Sequence, residues 1–282
     1  MDSSTSFYIP IISDYGFKAT FGKETDTLFL RTALQALIKS DVPIRQVTFD
    51  KNAFEALTID SRSGIFDLSC TDENGSQFIV EMQLGYAPYF IQRMKFYALH
   101  KFNTLVERGE FDYTNLPRIY AIAFLEKNIL PVPNYHTIAN LRDEQGEIID
   151  EQMSFITVEL AKFRKSAAEV SSDLDKLVYT MKTLHTAEPT QYPQFWNEEW
   201  LRRAIDELDT RKMTPEERAY FARVTAANAE AVKAEQRRIE QVKIETIQNA
   251  LREGLATDLI ARLLNVDTDY VLTIENRQAP NQ

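Results

Sequence analysis

Cysteine is almost missing from this chain of 282 residues. Cys70 stands alone, so there is no internal disulfide framework and no cysteine-rich zinc site. Such usage fits a reducing compartment. Histidine is nearly as scarce: His100, His136 and His185 are far apart and form no paired metal-ligand motif. The few glycines make neither a GxGxxG fingerprint nor a phosphate-binding loop, which argues against a nucleotide site. Nowhere does an apolar run approach the ~18–20 residues needed to span a bilayer. The opening MDSSTSFYIPII lacks the basic start and long apolar stretch of a secretory signal. A cytoplasmic protein without membrane contact is expected.

What is present is a soluble, globular balance, with 44% hydrophobic and 26% charged residues, in a length that suits one large domain or two modest ones. The formal net charge of −10 disfavours adhesion to nucleic acid through the whole surface. A local basic groove remains compatible with it, as does a site that collects divalent cations.

Periodicity divides the chain. Residues 26–41 carry Leu28, Phe29, Ala33, Leu34, Leu37 and Ile38 on one helical face. Residues 44–50, 64–70 and 76–84 read as strands. Asn74-Gly75 is a strong hairpin signal between the last two. A helix is predicted over 89–110, ended by Gly109. The apolar run 116–126 suits a strand buried on both faces. The order is helix, three strands, helix, strand. A further hairpin is expected at 136–160, turning at 144–146, and helices from Asp173 onward. Thr214-Pro215-Glu216-Glu217 is a good helix start, and that helix should reach about Leu251 with acids and bases in balance, as a solvated helix or loose coiled coil. Residues 251–274 read as two short helices of helix–turn–helix length. The second is poor in Arg and Lys, so oligomerisation or capping is expected of it and not base reading.

The hairpin is chemically odd. Residues two apart in a strand share a face, so Glu81 joins Gln83, and Asp67 joins Ser69 opposite Phe66, Leu68 and Cys70. Antiparallel pairing brings the two polar faces together. Two carboxylates and an amide then meet, and the carboxylates repel unless a proton or cation lies between them. Oxygen donors of this kind suit Mg²⁺ or Mn²⁺. A half-exposed hairpin with a merely polar outer face has the same alternation. Cys70 falls on the buried face and reads as packing.

Four stretches in this order, DYGFKATFG (14–22), FDLSCTDENG (66–75), FIVEMQ (78–83) and QRMKFYALH (92–100), resemble the PD-(D/E)XK nuclease family transposases, the recombination-promoting nuclease family. The resemblance covers about residues 7–165, and more loosely FITVELAKF (155–163) and the helical tail. It implies an α/β fold with a restriction-endonuclease-like core (αβββαβ, a mixed central sheet flanked by helices), an added hairpin and a helical C-terminal region. It also implies a metal-dependent DNA endonuclease that promotes recombination. Asp67 and Glu81 would be the metal-binding acids, with Gln83 the third catalytic position, where the wider superfamily has Lys. Gln can hydrogen-bond a water or phosphate oxygen but supplies no charge.

Asp14 and Lys18 lie four apart. Either Lys18 replaces the missing charge near the phosphate, or the two form a salt-bridged helix start. Gln92 and Arg93 open the helix after the third strand, where Arg93, Lys95, Lys101 and Arg108 against Glu107 alone offer a basic surface to DNA. Tyr97 reads as core. The expected division is a nuclease-like domain over 1–165, a helical extension over 166–215, and a long helix plus helix pair over 216–282, through which homo-oligomers could form. The competing reading is a non-catalytic DNA- or protein-binding module on a nuclease scaffold.

Overall fold

The computed structural model describes residues 7–50, 53–54, 64–65, 67–84, 89–105, 116–187 and 192–278. The chain forms two compact units, Met1–Pro215 and Glu216–Gln282. Segment 166–215 lies in the first.

Unit 1 opens with helix α1 (Asp14–Thr20), whose start is fixed by Ser13: its Oγ accepts from Gly16 N at 3.0 Å and donates to Pro10 O at 2.7 Å. Helix α2 (Leu28–Ile38) follows and buries Phe29, Leu30, Ala33, Leu34 and Leu37. Then come β1 (Val47–Phe49), the short pair β2 (Ala53–Phe54) and β3 (Gly64–Ile65), β4 (Leu68–Asp72) and β5 (Gln77–Gln83). After helix α3 (Phe90–Thr104) come β6 (Ile119–Leu125), β7 (His136–Arg142) and β8 (Ile148–Glu159). Helices α4 (Asp173–Thr183) and α5 (Glu199–Glu207) complete the unit.

Six strands make a mixed sheet in the order β1-β4-β5-β6-β8-β7. Strands β5, β6 and β8 are parallel and in register, so Gln83, Leu125 and Glu159 end side by side at one edge. Central β6 is buried at every position, as its apolar run requires. Its odd-numbered residues Ile119, Ala121, Ala123 and Leu125 pack with Ile79 beneath Phe90, Met94 and Ala98 of α3. On the other face, Phe124 meets Phe21 at 5.4 Å between ring centroids, and Phe21 also stacks on Phe17 at 4.7 Å. Helices therefore cover both faces.

The two sheet hairpins share one turn design. Asp72 N donates to Ser76 O at 3.0 Å and its Oδ1 accepts from Asn74 N and Ser76 N, while Gly75 takes φ 83. Asp143 does the same toward Gln145 and Glu147, with Gly146 at φ 88. Both sequences read Asp-Glu-x-Gly, and the glycine is needed because the left-handed region is costly for other residues.

Several boundaries differ from expectation. Segment 64–70 is not one strand: β3 pairs with β2 in a separate two-stranded sheet, and β4 begins at Leu68. Just before β4, the Asp67 side chain meets β5: its Oδ2 accepts from Met82 N at 2.7 Å. The end predicted for α3 at Gly109, and the charges of Glu107 and Arg108, lie outside the described residues.

Unit 2 contains helices α6 (Pro215–Arg252), α7 (Thr257–Leu264) and α8 (Thr268–Gln278). Its core is Ile247, Ile260, Ala261, Val271 and Ile274. Asn265, at φ 49, caps α7 in the left-handed conformation and turns the chain toward α8. No described helix is long and apolar enough to cross a membrane.

Gly16 explains part of the entry motif. A Cβ there would stand 2.0 Å from Pro10 O, a backbone atom. Gly16→Ala is expected to destabilise unit 1 by about 1–3 kcal/mol, the usual range for forced overpacking. Urea unfolding checks this, and an unchanged midpoint would show that the 10–16 turn shifts freely.

Candidate active site

The ladder between β4 and β5 pairs Leu68 with Val80 and Ser69 with Ile79. Asp67 stands just before β4 and Glu81 just past Val80, the last paired residue of β5 on this side. Each then reaches across to the other segment. The Asp67 carboxylate accepts from Met82 N, and the Asp67 amide donates to the Glu81 carboxylate. Gln83 lies two residues beyond Glu81 on the same face.

Glu81 is only 5% exposed. Among the described residues its nearest cation is Arg93, with Nη2 at 3.8 Å from Oε2, and Oε1 is buried without a hydrogen-bond partner. Burial, and then the charge of Asp67, push its carboxyl up to about 8, against the pull of Arg93. Asp67 is open to solvent on one side and ringed by protein on the other. That burial raises its carboxyl as well, as does Asp14, while the Met82 amide, Arg93 and Lys18 oppose the rise.

Two other buried carboxylates show what a purely structural one needs. Glu159, fully buried at the end of β8, accepts from Ile129 N at 2.5 Å and Leu130 N at 2.9 Å and pairs with Lys162. Asp175 accepts from Tyr135 Oη at 2.7 Å and from Lys165 Nζ at 2.7 Å, and its carboxyl is held well below the usual range. Both are satisfied in full, as buried charges must be. Glu81 is not.

The donor set at Asp67 and Glu81 therefore fits a hard divalent cation. Two carboxylates, one with an orphaned buried oxygen, would bind it, with water and substrate oxygens completing the shell. Among the described residues no group of three or more His, Cys, Asp and Glu side chains is arranged to hold a metal, so a protein-only cage is not part of this picture.

The remaining candidates are placed as follows. Lys18 pairs with Asp14 at 3.0 Å on the surface of α1, and both charges act on Asp67. Gln92 is exposed. Arg93 turns toward β5, where its Nη2 donates to Gln83 Oε1 at 2.8 Å. Lys101 does not contribute to a DNA-facing surface: it is largely buried and bonds Asp50 at 3.1 Å, in a network with Ser69 and Thr71. Lys95 stays exposed. Cys70 is fully buried, and burial pushes its thiol up to about 12, so it is no nucleophile. Tyr97 is half-buried against the α3 core, as expected, but also feels the charges of Glu81, Arg93 and Asp67. Spacing contained a signal for this, since Tyr97 lies one turn after Arg93 on the same helix face.

The Glu81 proton has a consequence for stability. The folded state raises this carboxyl from its ordinary 4.5 to about 8. It therefore holds the proton more tightly than the unfolded chain, and the stability so gained is present below 4.5 and lost by about 8, at up to about 1.4 kcal/mol per pH unit. In EDTA, Glu81→Gln is expected to melt above the wild type at pH 8 and near it at pH 4.5. A gap that does not change with pH would show that folding leaves the Glu81 carboxyl at its ordinary value.

A family model described as PD-(D/E)XK nuclease family transposase matches residues 11–241, which contain all of these side chains. No curated protein and no solved structure matches the chain.

Proposed function

The chain belongs to the PD-(D/E)XK nuclease family transposases, and from that premise we propose that it is a divalent-metal-dependent DNA endonuclease whose cleavage promotes recombination. The observation that carries this reading is the reach of Asp67, just before β4, onto β5 beside Glu81, with a buried Glu81 oxygen that no group among the described residues satisfies. The order α1, α2, β1, β4, β5, α3, β6 is compatible with the αβββαβ core that the family implies.

Asp67 and Glu81 would hold Mg²⁺ or Mn²⁺. A cation bound there polarises a phosphodiester and lowers the pKa of a bound water. Asp67 does two jobs, since the same carboxylate also fixes the end of β5 through Met82 N. Glu81, protonated in part at neutral pH, must release its proton to become a ligand, so metal affinity rises with pH. The bond from the Asp67 amide holds the Glu81 carboxylate in place meanwhile.

One observation favours the second reading, a binding module without catalysis. Gln83 carries no charge and already has a partner at each end of its amide: Oε1 accepts from Arg93, and Nε2 donates to Leu84 O at 2.8 Å, which leaves one N–H and one lone pair for a water.

Cleavage of supercoiled plasmid with Mg²⁺ or Mn²⁺ separates the two. Asp67→Ala and Glu81→Ala are each expected to lose about 100-fold or more, the scale of removing one preorganised electrostatic group. Mn²⁺ should also raise the melting temperature of the wild type at pH 8 and leave that of Glu81→Gln unchanged. Wild-type inactivity, or equal rates in all three proteins, moves the assignment to the binding module.

A further inference from the structure

Position 83 is where the wider superfamily carries a cation, and here it is an amide with both ends engaged. The nearest positive charge comes from another element. Arg93, in the first turns of α3, places its guanidinium 5.1 Å over the ring of Phe90 and donates from Nη2 to Gln83 Oε1 at 2.8 Å. The same Nη2 stops 3.8 Å from Glu81 Oε2. A pair built for stability would close into a bidentate fork. This one leaves Arg93 Nε and Glu81 Oε1 both buried and, among the described residues, unpartnered. Gln83 and Phe90 hold the guanidinium beside the carboxylate without letting it neutralise it. The side chain keeps 40% of its surface in contact with solvent, so an incoming anion can reach it.

We propose, resting on the nuclease reading above, that Arg93 is the phosphate-binding cation of this site and that Gln83 is the positioning residue that aims it. The positive charge has its seat on helix α3, and strand β5 supplies the acceptor that orients it. A planar guanidinium with free donors matches phosphodiester oxygens better than an ammonium does. Lys18 is the poorer candidate, because it is paired with Asp14 at the exposed surface of α1. The same geometry explains why residue 83 is not a cation. An ammonium there would face Arg93 at hydrogen-bonding range, and like charges at that distance repel.

The test is a charge relocation in the full chain, read by Mn²⁺-dependent cleavage of supercoiled plasmid, with kcat and KM measured separately and Asp67→Ala as the control. Arg93→Ala is expected to lower kcat by about 100-fold, in the range for loss of one preorganised transition-state donor. Gln83→Lys alone is expected to lose activity and to melt lower, because the new ammonium repels Arg93. The double variant Gln83→Lys/Arg93→Ala is expected to regain the melting temperature and at least about tenfold of the activity lost in Arg93→Ala. A merely structural Gln83 cannot produce that gain. Wild-type rates in Arg93→Ala, or a double variant no better than Arg93→Ala, overturn the inference while an inactive Asp67→Ala leaves the nuclease reading standing. Wild-type protein that cleaves nothing with metal overturns that reading and this inference with it.

Discussion

A carboxylate withdrawn from water at the centre of a sheet is the constraint around which this fold is arranged. Glu81 sits on β5, paired antiparallel to β4 on one side and parallel to β6 on the other, under α3. A strand in that place is normally apolar, and the middle of β5 obeys: Phe78, Ile79 and Val80 are all fully buried. Burying one charged residue at the end of such a strand is tolerable only if something meets it. The protein gives Glu81 a backbone amide, a cation held at arm's length, and a second carboxylate that makes matters worse. Glu159 and Asp175 prove that the same chain satisfies a buried acid completely when structure is all that is at stake.

The scaffold around Glu81 is correspondingly stiff. The parallel register of β5, β6 and β8 brings their ends to one edge. At that edge Glu159 ties the 129–130 backbone down through two amides and Lys162. On the opposite face the Phe17, Phe21 and Phe124 rings lock α1 to β6. Side chains that must be held to fractions of an ångström for chemistry are best mounted on such elements.

Much of this was legible because it follows from local rules. Asn74-Gly75 announced its turn, the alternation in 76–84 sorted Glu81 from Val80, and the nearly continuous apolar run at 116–126 suited a strand covered on both faces. Thr214-Pro215 announced a helix that does begin at Pro215. What could not be read depends on partners far away in sequence. Lys101 looks like a solvated helix charge until Asp50, fifty-one residues earlier, is brought against it. Gln83 looks free until Arg93 arrives from α3. Asp67 looks like a strand residue until its carboxylate takes the Met82 amide. Glu159 and Asp175 carried no mark at all, since a buried acid and a surface acid are written alike, and only the distant amides and lysines that meet them decide which is which.

The bond between Gln83 and Arg93 joins a strand to a helix, and it ties the histories of two positions together. An acceptor at 83 has value only while a guanidinium stands at 93, and a lysine at 83 is tolerable only once that guanidinium has gone. Drift through either single change passes through a protein with two cations in contact or with none. Relatives that have exchanged one arrangement for the other should therefore differ at both sites together, and the two residues would be inherited as one character.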